Sequence, residues 1–164
     1  MLKEVVGLVP VKGNSERVKK KNLREFHDTT LFELKLDQLD KTKNFKNIIV
    51  SPEDDEVLHA AERRGYGIHQ RDPYYSTSHV PMSEVYSNIA SEIDGENIAW
   101  INLTNPLAES EVYDKAVEIY STLPSENDCL LSAVELKEYV FYKGKPVNFT
   151  PYPWPKSQDL EGLV

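Results

Sequence analysis

The run VVGLVPV (Val5–Val11), followed at once by KGNSERVKKKNLR (Lys12–Arg24), decides how the chain is read. The apolar run is far shorter than the ~20 residues that cross a bilayer. Gly7 and Pro10 interrupt it, and no small-residue cleavage site follows, so it reads as a first β-strand and not as a signal peptide. The polar loop behind it leaves the carboxyl end of that strand. In parallel α/β sheets this is where ligands bind.

Outward from this point, strand and helix patterns alternate. Asp28 is the expected N-cap of a helix carrying Leu31, Leu34, Leu36 and Leu39. NIIV (Asn47–Val50) has strand character, and Glu53–Gly65 is a predicted helix with Val57, Leu58, Ala60 and Ala61 on one face, ending before Gly65. Gly67–Gln70 reads as a weak strand. Pro81 suits a first helical turn, after which Val85, Ile89 and Ile93 recur every four residues. NIAWINL (Asn97–Leu103) is the next strand, Ser110–Thr122 a helix with Val112, Ala116, Val117 and Ile119 as its apolar positions, and CLLSAV (Cys129–Val134) a further strand. This alternation predicts an α/β fold with a mostly parallel sheet and helices on both faces.

Beyond Glu135 the pattern changes. Tyr139–Tyr142 and Val147–Phe149 suggest a hairpin around Lys143, Gly144 and Lys145, followed by PYPWP (Pro151–Pro155). Residues 136–160 are expected to form an arm that packs on a partner subunit or on residues past Val164. Residues 1–164 are expected to be one domain, cut short at its C-terminus, because the chain stops in apolar residues with no closing helix.

A chain of 164 residues with 40% hydrophobic residues can bury one substantial core. Its net charge of −8 argues against general binding to nucleic acid or anionic membrane, both of which need a basic footprint. Yet between Lys12 and Arg24 six basic residues face the single Glu16, a local charge of +5. A cationic patch on an anionic body suits a small anionic ligand. The lone Cys129 excludes an intrachain disulfide and so a disulfide-stapled secreted scaffold. The expectation is a soluble cytoplasmic protein.

Backbone N–H groups in a loop of this kind can point at a phosphate. Asn14, Ser15 and Asn22 add neutral donors, while Lys12, Arg17 and Lys21 add charge. The loop is neither GxxxxGK(S/T) nor GxGxxG. On these residues alone a phosphate cradle and a plain solvated loop are equal readings, and Lys19–Lys21 also matches a basic import signal.

Residues 9–23 resemble the N-terminal signature of the cytidylyltransferases that activate acidic sugars, the acylneuraminate (CMP-sialic acid) synthetases and their relatives. That signature runs Ile/Val-Pro-Ala-Arg-x-Gly-Ser-Lys-x-Ile/Leu-x-x-Lys-Asn-Leu. Here Lys12 stands for the Arg, and Ser15, Lys21 and Asn22 keep their spacing. Four further blocks follow in order. The stretch Ile49–Glu56 is similar to the family's "VVSTDDEE", Arg71-Asp72-Pro73 to its Arg-x-Pro, Ile101–Leu107 to "LLQPTSPL", and Lys156–Glu161 to "RxQDLP".

The resemblance implies a Rossmann-like, three-layer nucleotide-binding fold with a small C-terminal dimerisation arm, and a homodimer. It implies transfer of CMP from CTP to an acidic sugar of the sialic acid type, with Mg²⁺ bridging phosphate oxygens. Lys12 and Lys21 would be the catalytic cations. Gly13, Asn14, Ser15, Arg17, Asn22, Arg71, Asn102, Thr104 and Pro106 would bind nucleotide, with Arg71 against the cytosine. Lys156, Gln158 and His79 would bind the acceptor. The metal ligands are not identified by any matched position. Two alternatives stand beside this: a catalytically silent nucleotide-binding module, and a cytidylyltransferase for a different sugar acid or phosphorylated acceptor.

Several residues are set aside. Asp54, Asp55 and Glu56 open a predicted helix and are read as capping. His27, His59, His69 and His79 show no metal spacing. Cys129 is expected in the core, and Tyr74, Tyr75, Tyr139, Phe141, Tyr142 and Trp154 are expected mainly in arm and interface packing.

Overall fold

A parallel sheet of four strands, β1 (Val6–Val11), β4 (Asn47–Pro52), β5 (Gly67–Ile68) and β6 (Ile98–Trp100), has the order β5-β4-β1-β6. It belongs to a computed structural model that describes residues 1–12, 18–77 and 79–164. The described chain divides into two compact units, Met1–Glu126 and Asn127–Val164.

In the first unit both faces of the sheet are covered, as period-two alternation along buried strands requires. Val9 and Val11 join Val50, Ile101 and Leu103 on one face, packed by Phe32, Leu36 and Leu39 of α1 (Leu31–Leu39) and by Val57, Ala60 and Ala61 of α2 (Asp55–Arg63). On the other face Val6 and Leu8 meet Val85, Ile89 and Ile93 from α3 (Met82–Glu92) and its C-cap, with Ile49, Ile98 and Trp100 packed alongside. Each side chain fully buried here contributes roughly 1.5–3 kcal/mol of hydrophobic stabilisation.

Helix ends follow capping chemistry. Asp54 accepts from the Glu56 N–H at 2.8 Å and caps α2, as its sequence suggested. Gly65, with φ of 76°, supplies the left-handed residue just past that helix. For α1 the cap is Thr30 and not Asp28: Thr30 Oγ1 accepts from the Glu33 N–H at 3.1 Å. Asp28 instead sits in the turn of a hairpin between β2 (Glu25–Phe26) and β3 (Thr29–Thr30).

The apolar face expected for α4 (Ser110–Thr122) is also corrected. Val112 and Ile119 are exposed, whereas Ser110 and Val117 are buried and Tyr113 packs against the core. Tyr120, one turn on from Val117, donates to Asn97 Oδ1 at 2.9 Å. Tyr113, Val117 and Tyr120 at helical spacing define the inward face here, and Val112 and Ile119 lie outside it.

In the second unit, β7 (Phe141–Tyr142) pairs with β8 (Lys145–Pro146) through a turn in which Lys143 and Gly144 both have positive φ, a two-residue hairpin whose twist matches its strands. Phe149 gathers Tyr139, Phe141 and Trp154 at ring distances of 4.9–5.3 Å. Asn148 donates to the carbonyls of Glu138 and Glu161 and accepts from the Val140 N–H. The strand expected over Cys129–Val134 does not form: the segment has no ladder partner among the described residues, and Leu131 and Val134 are more than 80% exposed. Cys129 is exposed too, against expectation. Its β-propensity extends the segment, but a strand also needs a neighbour for its backbone groups.

No helix among the described residues is long and apolar enough to cross a membrane.

Candidate functional site

Because all four sheet strands are parallel, the segments that follow them leave from one edge. The order places β6 on one side of β1 and β4, β5 on the other. The chain therefore reverses direction across the β1–β6 boundary, the switch point at which α/β folds open a crevice. Lys12 follows β1 there, and Asn102, Thr104 and Pro106 follow β6.

The β1 segment is built around Asn22. Its side chain, 7% exposed, donates Nδ2–H to the Lys12 carbonyl at 3.0 Å, closing the ends of the loop. Lys21 is half-buried, within turns fixed by Lys21 N–H to Val18 O and Leu23 N–H to Lys20 O. Lys12 is also half-buried. Gly13, Asn14, Ser15 and Arg17 lie outside the described residues. On the β6 side Asn102 and Thr104 are exposed at the edge. Pro106 is half-buried, and its carbonyl accepts from Gln38 Nε2 at 2.8 Å.

Arg71 lies past the end of β5. Its guanidinium pairs with Glu53 at 2.7 Å and bonds Ser51 through both the carbonyl (3.1 Å) and Oγ (3.3 Å). The two charged side chains are 6% and 10% exposed. Burial pulls the Arg71 pKa below its ordinary value, and the Glu53 charge opposes that shift.

Behind it runs a row that the sequence did not reveal. Ser51 Oγ lies 3.0 Å from His69 Nδ1, and His69 Nε2 lies 2.9 Å from Glu92 Oε2. Hydrogen bonds from His69 and Asn88 hold the Glu92 carboxyl below the usual carboxylate range. The row has the residue types of a nucleophile, base and carboxylate, but Ser51 is fully buried and is shared with Arg71. It holds Arg71 from behind. The available signal was the alternation in Gly67–Gln70, which turns His69 to the opposite face from Ile68.

His79 is exposed in the turn before Val80. Lys156 and Gln158 belong to the second unit, at a short helical turn over Ser157–Asp159, and both are exposed. The structure thus brings Lys12, Lys21, Asn22, Arg71, Asn102, Thr104 and Pro106 to segments leaving one sheet edge. Among the described residues no group of three His, Cys, Asp or Glu side chains is placed to hold a metal ion.

A basic segment following β1 at the switch point of a parallel sheet is the placement that nucleotide-binding α/β proteins use. The chain belongs to the cytidylyltransferase family, whose model matches residues 6–148. A sequence relative is the uncharacterized protein MJ1063 of Methanocaldococcus jannaschii, 26% identical over 119 residues, covering 70% of this chain and 46% of that protein. Among solved structures, CMP:2-keto-3-deoxy-manno-octonic acid synthetase complexed with CTP aligns with a TM-score of 0.58 and 11% identity, over 70% of this chain and 46% of its own. The 4-diphosphocytidyl-2C-methyl-D-erythritol synthase of Anaerococcus prevotii aligns with a TM-score of 0.57 and 14% identity, over 99% of this chain and 68% of its own. These likenesses show a shared fold, and the chain spans about half the length of the first two relatives.

Proposed function

We propose that the chain transfers a cytidylyl group from CTP to a hydroxyl of an acidic sugar of the sialic acid type. The acceptor oxygen attacks the α-phosphorus in line, the bond from that phosphorus to the β-phosphate bridge breaks, the hydroxyl proton is lost to solvent, and pyrophosphate leaves. The observation that carries this reading is the cationic loop after β1 at the switch point of a cytidylyltransferase-family sheet. Catalysis of such a transfer rests on positioning and on neutralising charge at the phosphates.

In this reading Lys12 and Lys21 face the triphosphate, with Gly13, Asn14, Ser15, Arg17 and Asn22 around it. Arg71 borders the cytosine, and Asn102, Thr104 and Pro106 form the opposite wall. His79, Lys156 and Gln158 serve the acceptor. A divalent ion such as Mg²⁺, held mainly by the nucleotide or by residues outside 1–164, would supply charge neutralisation at the phosphates. Exposed Phe141, Tyr142 and Trp154 support residues 136–160 as an arm for a second copy.

A second reading, a silent nucleotide-binding module, draws support from Arg71, whose guanidinium is engaged by Glu53 and Ser51. Both readings predict nucleotide binding, which thermal-shift titration with CTP, UTP, ATP and GTP measures. At CTP one hundredfold above Kd, mass action adds about 2.7 kcal/mol. For a chain of this size that raises Tm by roughly 5–10 °C. The expected result is a shift selective for CTP; equal shifts with all four nucleotides, or none, contradict the site.

A further inference from the structure

Lys35 is completely buried on α1, on the face that packs against the sheet. Its Nζ donates to the carbonyls of Asn105 (2.8 Å) and Ala108 (3.1 Å) and to Gln38 Oε1, and lies 2.8 Å from the Tyr113 hydroxyl. Gln38, one turn along, donates to the Pro106 carbonyl at 2.8 Å. Two side chains of α1 therefore grip three carbonyls of the segment that follows β6. The start of the same helix is tied to the other wall. The Phe32 N–H donates to the Asn22 carbonyl at 3.0 Å, and the Asn22 side chain donates to the Lys12 carbonyl.

Burying an ammonium group is unfavourable, and a surface turn that only reverses the chain can leave its carbonyls to water. Here the carbonyls converge on one cation held on a rigid helix. We propose that Lys35, with Gln38 and Tyr113, is a positioning residue that splints the Asn102–Pro106 segment to the loop after β1, so that α1 sets the spacing between the two walls of the nucleotide crevice. This rests on the reading of that crevice as the CTP site.

The splint is charge-dependent. Burial lowers the Lys35 pKa to about 8, while Glu109, at the start of α4, pulls the other way. Tyr113, the other ionisable group at Nζ, is pushed up to about 12 by burial and by Glu109 and stays neutral over the working range. Above pH 8 the amine loses its charge, and its bonds to the carbonyls lose the roughly twofold strength that charge confers. Stability moves in the opposite sense. The unfolded lysine keeps its proton up to 10.5, so between about 8 and 10.5 the unfolded state binds more protons and the folded state gains as pH rises. A merely structural lysine would not make CTP affinity fall while its own contribution to stability rises.

The test measures CTP affinity and ligand-free Tm of the full chain from pH 6.5 to 9.5, for the native protein and Lys35→Met. Native Kd for CTP is expected to rise about tenfold between pH 7 and 9.5. Lys35→Met leaves the Asn105 and Ala108 carbonyls without their donor, so it is expected to lower the ligand-free Tm, to bind CTP about tenfold more weakly at pH 7, and to lose the alkaline limb. Native affinity at pH 7 in Lys35→Met, or an alkaline limb that survives in it, overturns the proposal. Should Lys35→Met not fold, the carbonyl ¹³C NMR signals of Asn105 and Ala108 in the native chain decide. They are expected to titrate with a midpoint near 8, and their failure to do so overturns the proposal equally. A native chain indifferent to CTP at pH 7 defeats the crevice reading instead, and the carbonyl titration then decides the splint by itself.

Discussion

Arg71→Met is expected to lower the free energy of unfolding by about 3–5 kcal/mol, the usual consequence of removing one partner from a buried ion pair. The substitution strips the guanidinium from a Glu53 carboxylate that is 10% exposed, and removes donors from the Ser51 carbonyl and hydroxyl. The complementary apolar side chain in Arg71→Met/Glu53→Leu removes both charges, and that double variant is expected to recover most of the loss. Urea denaturation midpoints at constant m-value measure both. A single variant within 1 kcal/mol of the native chain would mean that the pair is solvated and that Arg71 is free to move.

Lys21→Met is expected to reduce pyrophosphate release by roughly 10²–10³-fold, the range seen when one preorganised electrostatic contact to a transition state is deleted. Lys21 is half-buried in turns held by backbone bonds that any side chain leaves intact, so the fold and Tm should be retained. Lys12→Met should act in the same direction. Lys19→Met is the control, because Lys19 is exposed in the same basic run and is expected to change the rate less than twofold. Equal losses at Lys19 and Lys21 would reduce the loop to a diffuse field of charge.

Much of this architecture could be read before the structure. Val9, Val11 and Val50 announce buried parallel strands, and Val85, Ile89 and Ile93 mark the face of α3. The helix Ser110–Thr122 and its buried Val117 match the sequence reading, but Val112 and Ile119 look like core by composition while Tyr113 packs there in their place. The α1 cap was misassigned because Thr30 and Glu33 carry the capping pattern two residues beyond the more obvious Asp28. The Cys129–Val134 segment shows that propensity alone makes no strand.

In the site, the basic loop was legible from charge and position. The support behind it was not. Arg71 and Glu53 are 18 residues apart, and they meet only because β4 and β5 pair in parallel with Ile49 opposite Gly67. Nothing in the sequence singles out Lys35, because the carbonyls of Asn105 and Ala108 that converge on it lie 70 and 73 residues away.

The central claim is cytidylyl transfer, and release of pyrophosphate from CTP and a divalent cation, with and without acidic sugars, tests it most directly. Release that needs both CTP and a sugar acid, falls sharply in Lys21→Met and fails with UTP is the predicted result. CTP binding with no release for any sugar acid would contradict the account and leave the chain a nucleotide-binding module.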